Sequence, residues 1–478
     1  MMTRPPPDLL RTSSVIAGIG LLSFLIVVTF FPGVMTKDSE AALDQARSLE
    51  LTDWHPPIMA LIWRYLDAII RGPLLMLVSQ ALLYAWAVTK LCREGFPRIN
   101  RLAPAWVTVL AFGLFPPAMA LIGMIWKDVW MSGLLLLGLG YLYGITTVTT
   151  SAERLRAFAS LVVCCLLATA FRHNAVSATA GLLAGGCYFL LPTRDGYLKL
   201  LLSCLGGLVI AFALWLANGI LVRSVASPTH PTTSILLHDI AGIITNSSDP
   251  QDEAAYFLTS HSKVSSRPHA QFMRQLERSY RPSDANGVLR SSRRTNVPFD
   301  IVVYDRDHDA AAVRSAWGDL LARNLRAYLA HRLDTFLCLL QLCDIEAWAN
   351  HSYVLNPSYL GTESSSAAQA KLRHIFLERR LVRLYSPAWW LAVSLVVGAG
   401  SLVLGRGRGK VPFFMGLSGL GLSVALFFTA PIESYRYMHW VILLGWTCVF
   451  VMMERVLSRM AHRAETARNS AYDERASV

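Results

Sequence analysis

Ten separate stretches of about 20 predominantly apolar residues constrain the fold of this chain more than any other feature of its sequence. An α-helix of that length crosses the roughly 30 Å hydrocarbon core of a bilayer and satisfies its own backbone hydrogen bonds there. The chain is 54% hydrophobic and only 16% charged, whereas soluble proteins have about 25% charged residues, so an ordinary soluble enzyme is excluded. The sequence predicts an all-α polytopic membrane protein. The ten predicted spans are residues 15–34, 73–92, 103–123, 129–147, 157–171, 175–191, 200–222, 387–404, 412–430 and 438–454.

The distribution of Lys and Arg predicts the orientation of these spans, because both residues resist translocation across the membrane. Eighteen of the 44 lie in alternate short segments that include both termini, seven lie in the other short segments, and 19 lie in one long hydrophilic stretch. Both termini are therefore predicted to be cytoplasmic, in a cell inner (cytoplasmic) membrane. The net charge of +12 is largely a topology signal and does not indicate nucleic acid as a partner.

The predicted spans form two membrane modules on either side of the hydrophilic stretch. Residues 1–222 make up an N-terminal module of about seven helices, with a long first outer loop at 35–72. Residues 223–386, called the middle segment below, are predicted to lie on the extracytoplasmic side. Residues 387–478 make up a C-terminal module of about three helices and a basic cytoplasmic tail.

The middle segment divides into two halves of different character. Its first half is rich in polar turn residues and predicts an irregular region, whereas apolar residues at helical spacing over 309–342 predict one amphipathic helix. Cys338 lies on that predicted helix, and Cys343 directly follows it. Because a five-residue spacing on a helix points two side chains apart, we expect no disulfide between them.

Four groups of polar residues interrupt the apolar sequence near predicted span ends, and the predicted topology places all four on the outer face. The first group has an ordinary explanation as a solvated, capped connector, the second as a Lys–Asp pair at the interface, and the last as an aromatic anchor. Their shared location favours chemistry on a phosphorylated lipid, in which a carboxylate accepts a proton and cations neutralise phosphate. The residues are Asp38, Glu40 and His55, then Lys127 and Asp128, then Arg172 and His173, and finally Arg436.

The motifs around these residues resemble the GT-C superfamily of integral-membrane glycosyltransferases, in particular its protein-mannosyltransferase-like and aminoarabinose-transferase-like branch. TKDSEAALDQA resembles the acidic motif after the first helix of that family, and Asp38 falls on its catalytic acid. IWKD, with Asp128, resembles the acid of the second outer loop. WHPP resembles a Lys-Pro-Pro element, FRHN a Lys-containing segment after the fifth helix, and SYRYMHW an Arg-Tyr element. The resemblance covers residues 15–191 and 387–455.

The resemblance implies an inverting enzyme that moves a sugar from a polyprenyl-phosphate carrier to a cell-envelope glycan, lipid or protein. Asp38 would act as the general base on an acceptor hydroxyl. Asp128 would orient a substrate or share a divalent cation, Mg²⁺ or Mn²⁺, with Asp38. A metal, if one is used, would therefore have these two carboxylates as its ligands.

The resemblance also implies which residues would bind the phosphate. His55 and Arg172 stand where the family commonly has Lys, and both can bind phosphate. Ser39 stands where the family often has a second acid, and Glu40 is the candidate to replace that acid. Further substrate-binding candidates are Lys127, His173 and Arg436.

Two other functional classes fit a chain with many spans and a large outer segment. An enzyme of the O-antigen ligase or polymerase type would use a diphosphate-linked oligosaccharide and would not need Asp38. A lipid or glycan transporter would place its charged residues near mid-membrane, within broken helices or repeats. The acids of this chain lie near span ends instead, and its sequence has no evident repeat.

Overall fold

The structure, a computed structural model, describes residues 7–193, 196–290, 296–301, 307–343 and 382–476. These residues form twenty α-helices and no β-strand. The helices up to the middle segment are α1 (Pro7–Phe30), α2 (Lys37–Ser48), α3 (Ile58–Ile69), α4 (Leu74–Gly95), α5 (Ile99–Leu102), α6 (Ala105–Gly113), α7 (Pro116–Ile122), α8 (Lys127–Thr147), α9 (Ser151–Phe171), α10 (Ala175–Leu190) and α11 (Tyr197–Val225). The others are α12 (Thr232–Asn246), α13 (Pro250–Ser260), α14 (His269–Ser279), α15 (Asp307–Arg323), α16 (Leu325–Leu339), α17 (Val382–Tyr385), α18 (Pro387–Leu404), α19 (Val411–Thr429) and α20 (His439–Ala476).

Seven helices in the described residues are long and apolar enough to cross a membrane. They are α4, α8, α9, α11, α18, and α19 and α20 with the short turns before them. The bent pair α6 and α7 would make an eighth span. The Ser14–Phe30 part of α1 and the whole of α10 are apolar but shorter. An all-helical polytopic architecture is thus confirmed, while the count of ten spans stays a prediction.

A proline pair bends the chain between α6 and α7 by 75°. Pro116 and Pro117 occupy the first positions of α7, where their missing N–H groups cost nothing but where they cannot continue the helix that ends at Gly113. Nearly all of α7 is buried. The bend directs the chain towards the start of α8 instead of straight across the bundle.

Small residues let the two membrane modules pack closely. A Cβ added at Gly181 of α10 would lie 2.4 Å from the backbone nitrogen of Ser418 in α19, so only glycine permits this approach. Within the N-terminal module, Gly207 of α11 is equally close to the backbone of Ala184 in α10. Close packing at small residues is the usual way in which helices associate inside a bilayer.

The first half of the middle segment is helical, contrary to the expected irregular region. Helices α12 to α16 enclose a second apolar core, in which Leu237, Phe257, Phe272 and Val313 are fully buried. Turn-rich stretches such as SSDPQDE cap and connect short helices here, so turn composition concealed the apolar residues spaced between them. The single helix predicted over 309–342 is also wrong, since two helices meet at Asn324.

A disulfide joins Cys338 to Cys343, which corrects the expectation that these residues stay apart. The expectation assumed one continuous helix. Helix α16 instead ends at Leu339, and Gln341 adopts a φ of 60°, which reverses the chain. The two Cα atoms are therefore only 4.8 Å apart.

Candidate active site

Two connections, one after α1 and one after α7, pair with each other through their backbones. The Val34 N–H donates to the Gly123 carbonyl at 3.0 Å, and the Ile125 N–H donates to the Val34 carbonyl at 3.0 Å. The result is an isolated parallel bridge between Val34 and Met124. It places the first turns of α2 and α8, and hence Asp38 and Asp128, at the same end of the bundle.

The start of α2 is fixed by side chains at its N-terminus. Thr36 and Ser39 form a capping box, which satisfies backbone N–H groups that a helix start leaves unpaired. The Ser39 hydroxyl also donates to the Ile125 carbonyl at 2.8 Å, and the Trp126 indole N–H donates to Thr36 Oγ1 at 2.7 Å. Asp38 therefore projects from a rigid first turn, and Ser39 has a structural task at the position where a second acid was sought.

Four charged side chains alternate in sign across this end of the bundle. Arg436 Nη1 lies 2.5 Å from Asp38 Oδ2, and its Nε lies 3.9 Å from Asp128 Oδ2. Asp128 is fully buried and lies 2.8 Å from Arg172 Nη1 through its Oδ1. The order is thus Asp38, Arg436, Asp128, Arg172, so each buried charge has an opposite neighbour.

Aromatic rings support the two guanidinium groups of this series. Arg172 lies 4.4 Å from the centroid of the Tyr437 ring, and Arg436 lies 4.9 Å from that of Trp126. Cation–π contacts of this kind hold a guanidinium in place without using its hydrogen-bond donors. Tyr437 belongs to the Arg-Tyr element that the sequence analysis identified in SYRYMHW, whereas sequence reasoning missed Trp126, which directly adjoins Lys127 in IWKD.

His55 and Lys127 form a second contact beside Asp38. Lys127 Nζ donates to His55 Nδ1, and His55 Nε2 lies 3.8 Å from Asp38 Oδ1. Burial, followed by the charge of Lys127, lowers the pKa of His55 to about 3. The imidazole is therefore neutral at pH 7, accepts from Lys127 Nζ at Nδ1 and presents an N–H towards the carboxylate.

Asp38 remains an ionised carboxylate in these surroundings. Burial acts to raise its pKa, but the Arg436 guanidinium and the other nearby cations outweigh burial and hold the pKa well below its usual range. Its side chain keeps 35% of its surface exposed. The carboxylate is thus charged and can be reached from the pocket.

A narrow cleft that is continuous with solvent opens between α2, α3 and the start of α8; its volume is about 360 Å³ only when the open solvent at its mouth is included. It is called the pocket below. Its polar wall consists of Asp38, His55, Lys127 and Arg436. Its remaining lining is mostly apolar and comprises Ala42, Gln45, Pro56, Met59, Ala60, Ile125 and Trp126. Such a site combines ionic groups on one side with a surface on which a sugar ring or a lipid chain can pack.

Other polar residues from the sequence analysis have different surroundings. His173 is half-buried, and burial followed by the charges of Lys127 and Arg172 lowers its pKa, so it lies near the cations but outside the pocket lining. Glu40 is exposed and is not among the residues that line the pocket. The first turn of α2 points it away from the role of a second acid, because Ser39 takes the buried position.

The two carboxylates do not fit a shared divalent cation. Arg436 occupies the space between Asp38 and Asp128, at 2.5 and 3.9 Å, and its positive charge would repel a metal ion there. Within the described part of the chain, the one cluster with suitable spacing for a metal is Cys338, Cys343 and Glu433. Its two cysteines are joined in a disulfide and cannot act as thiolate ligands.

Asp38, His55, Lys127, Asp128, Arg172 and Arg436 thus meet at one end of the bundle, although they come from five separate parts of the chain. Comparisons with protein-family models, with curated proteins and with solved structures each find no match for this chain.

Proposed function

We propose that this protein is a membrane glycosyltransferase that moves a sugar from a polyprenyl-phosphate carrier to a cell-envelope acceptor, with inversion at the anomeric carbon. The proposal includes a GT-C-like arrangement of ten spans, cytoplasmic termini, and a site on the outer face of the cytoplasmic membrane. The observation that carries it is the contact between Asp38 and Arg436 at the wall of a pocket. A base and a phosphate-binding cation lie side by side there.

The donor phosphate would bind at the cationic wall formed by Arg436 and Lys127. In the free protein the guanidinium of Arg436 is engaged by Asp38, which weakens the carboxylate as a base. A phosphate dianion or monoanion competes for the same guanidinium, because charge-assisted bonds to phosphate are strong and often bidentate. Donor binding would therefore release Asp38 and raise its basicity when a substrate is present.

The transfer step then needs one bond to form and one to break. The acceptor hydroxyl oxygen attacks the anomeric carbon, Asp38 takes the hydroxyl proton, and the bond from the anomeric carbon to the phosphate oxygen breaks. The electron pair leaves with the polyprenyl phosphate, whose added negative charge Arg436 and Lys127 stabilise. Asp128 acts indirectly, because its buried carboxylate holds Arg172 beside the site and faces Arg436.

The carrier chain would reach the pocket along α3. Met59 and Ala60 of this helix line the pocket, while Tyr65 and Ile69 expose apolar surface on another side. A helix with one buried face and one exposed apolar face is suited to lie in the membrane interface. A polyprenyl tail can therefore stay in the bilayer while its phosphate enters the site.

The test is a transfer assay on the full-length protein in liposomes. The donors are a panel of polyprenyl-monophosphate sugars, and the acceptor is an extract of cell-envelope lipids. Asp38→Asn should lower the transfer rate by about 1,000-fold or more, since it removes the general base and keeps the side-chain size. Glu40→Gln and Asp44→Asn are matched controls on exposed positions of the same helix and should retain the wild-type rate. Full activity of Asp38→Asn would overturn the assignment.

The same panel separates the two other functional classes. Transfer from diphosphate-linked oligosaccharides alone, unaffected by Asp38→Asn, would indicate a ligase or polymerase. Movement of labelled lipid across the vesicle membrane without any new glycosidic bond would indicate a transporter. Either result would overturn the proposal.

A further inference from the structure

The middle segment contains a buried ion pair that the proposed reaction does not use. Arg332 Nη2 of α16 lies 2.7 Å from Asp239 Oδ1 of α12, and the two side chains are 0% and 2% exposed. Burying two charges costs free energy that an apolar pair of similar volume would not cost. Each member of this pair also makes a hydrogen bond to a third group, Asp239 to Trp317 and Arg332 to Ala430, which apolar side chains could not make.

Neighbouring side chains fix the orientation of this pair. The Trp317 indole N–H donates to Asp239 Oδ2 at 3.0 Å, and His331 Nε2 lies 3.2 Å from Asp239 Oδ1. The Tyr280 hydroxyl bonds to the other ring nitrogen of His331 at 2.8 Å. The Trp317 hydrogen bond orients the Asp239 carboxylate, and the Arg332 guanidinium lies against that carboxylate as its opposite charge.

The guanidinium of Arg332 also makes a hydrogen bond to the C-terminal module. Arg332 Nη1 donates to the Ala430 carbonyl at 3.0 Å, and Ala430 is the C-cap residue directly after α19. A cation at a helix C-terminus binds the carbonyl groups that the helix leaves unpaired. The ion pair is thereby bonded to the start of the connection that leads to Arg436.

A second part of the middle segment binds the next residues of the same connection. The Ala285 N–H donates to the Pro431 carbonyl, and the Glu433 N–H donates to the Ser283 carbonyl, both at 2.9 Å. An antiparallel bridge between Asp284 and Ile432 lies between these bonds. Residues 430–433 are thus held at two places by the middle segment, and Arg436 follows three residues later.

We propose that Arg332, oriented by Asp239, is a positioning residue that sets the place of Arg436 through the 430–433 connection. The consequence for the site rests on the proposed function. The middle segment then acts as a clamp on one of the groups that bind the donor phosphate. A displacement of 430–433 would move Arg436 relative to Asp38 without touching either residue.

The first test removes the bond to Ala430 without leaving a buried charge. Asp239→Asn/Arg332→Met keeps an acceptor for Trp317 and similar volume, but it removes the donor to the Ala430 carbonyl. Amides of residues 432–438 should exchange hydrogen at least about tenfold faster than in the wild type, while amides of α8 stay unchanged. The matched control is Glu253→Gln/Arg323→Met, which removes another ion pair of the middle segment and should leave exchange at 432–438 unchanged.

The second test asks whether Arg332 acts through Arg436. The double variant should lower kcat/KM for the donor by about 10- to 100-fold, the range typical of a displaced binding group. In an Arg436→Lys background the same double substitution should have less than a third of that effect, since the group being positioned is already replaced. A purely structural role predicts equal fold-changes in both backgrounds, and that result would overturn the proposal.

Exchange and activity together keep the two proposals separable. Faster exchange at 432–438 in a protein that transfers no sugar supports the positioning role and contradicts the glycosyltransferase. Unchanged exchange and unchanged kcat/KM contradict the positioning role alone. If the double variant does not fold, Arg332→Lys gives the same comparison, because lysine keeps the charge beside Asp239 but lacks the two-sided geometry of the guanidinium.

Discussion

Arg436 and Asp38 are 398 positions apart in the chain, yet Nη1 of the first lies 2.5 Å from Oδ2 of the second. The contact joins the first connection of the N-terminal module to the last connection of the C-terminal module. Each residue reaches it from a fixed backbone, Asp38 from the capped start of α2 and Arg436 from the turn before α20. A site that depends on both modules cannot form in either one alone.

Replacing Arg436 should change both rate and pH dependence. Arg436→Met should lower transfer by about 100- to 1,000-fold, as expected when a preorganised phosphate-binding cation is lost. Because Arg436 is the leading cause that lowers the pKa of Asp38, its removal lets that pKa rise. The residual activity should therefore fall at a higher pH on the acid side than wild-type activity does, as measured by rate profiles between pH 4 and 8.

The control for this prediction is Arg71→Met, which removes an exposed arginine close to the same pocket-forming helices. It should retain both the rate and the acid limb of the wild type. A residual activity of Arg436→Met with an unshifted acid limb would contradict the proposed coupling between the guanidinium and the carboxylate.

Half-buried His55 should make the stability of the folded protein fall as the pH is lowered. Its pKa is about 3 in the folded protein and about 6.5 in an unfolded chain, so between these values the unfolded state binds more protons. Stability therefore falls as pH drops below about 6.5 and is fully present above it. His55→Asn should flatten this slope, as seen in thermal midpoints between pH 8 and 5.

The matched control for His55 is His462→Asn, at an exposed position of α20. It should leave the slope of the thermal midpoint with pH as in the wild type. Equal slopes for the wild type and His55→Asn would contradict the neutral state assigned to the buried imidazole.

Long apolar runs predicted several of the long helices closely, because a span must be apolar along its whole length. Helix α8 begins at Lys127, next to the predicted start at 129, and α18 spans the predicted 387–404. Short soluble helices give a weaker signal. Helices α13 and α14 have only 11 residues each, so the turns between them dominated the composition.

Charged residues near span ends predicted which side chains meet but not how they pair. The sequence indicated Asp38 and Asp128 as partners, whereas Arg436 lies between them. Pairing depends on the bridge between Val34 and Met124, which joins two connections remote in sequence. No local pattern encodes such a contact, and the clamp of the middle segment on 430–433 was missed for the same reason.

The hydroxyl of Ser39 should contribute to the free energy of unfolding, because it takes part in two sets of hydrogen bonds at the start of α2. It completes the capping box of α2 and donates to the Ile125 carbonyl, and the residue is fully buried. Ser39→Ala should lower the free energy of unfolding by about 1–3 kcal/mol, because a cap is lost and a buried carbonyl is left unpaired. Thermal unfolding measures both this variant and its control. The control is Ser48→Ala, at the exposed end of the same helix, which should change the free energy of unfolding by less than about 0.5 kcal/mol.

The Cys338–Cys343 disulfide should form only where its segment meets an oxidising compartment. Disulfides are rare in reducing cytosol and persist outside the cytoplasmic membrane, so the bond tests the predicted side of the middle segment. A maleimide of high mass should label neither cysteine in denatured, unreduced protein and both after reduction. The six free cysteines, which include Cys92 and Cys448, should be labelled in both samples, so reduction should add two labels per chain. Labelling of both without reduction would contradict the proposed topology.

Removing the disulfide should also destabilise the folded protein. Cys338→Ala/Cys343→Ala should lower the free energy of unfolding by about 2 kcal/mol, as expected for so short a closed loop.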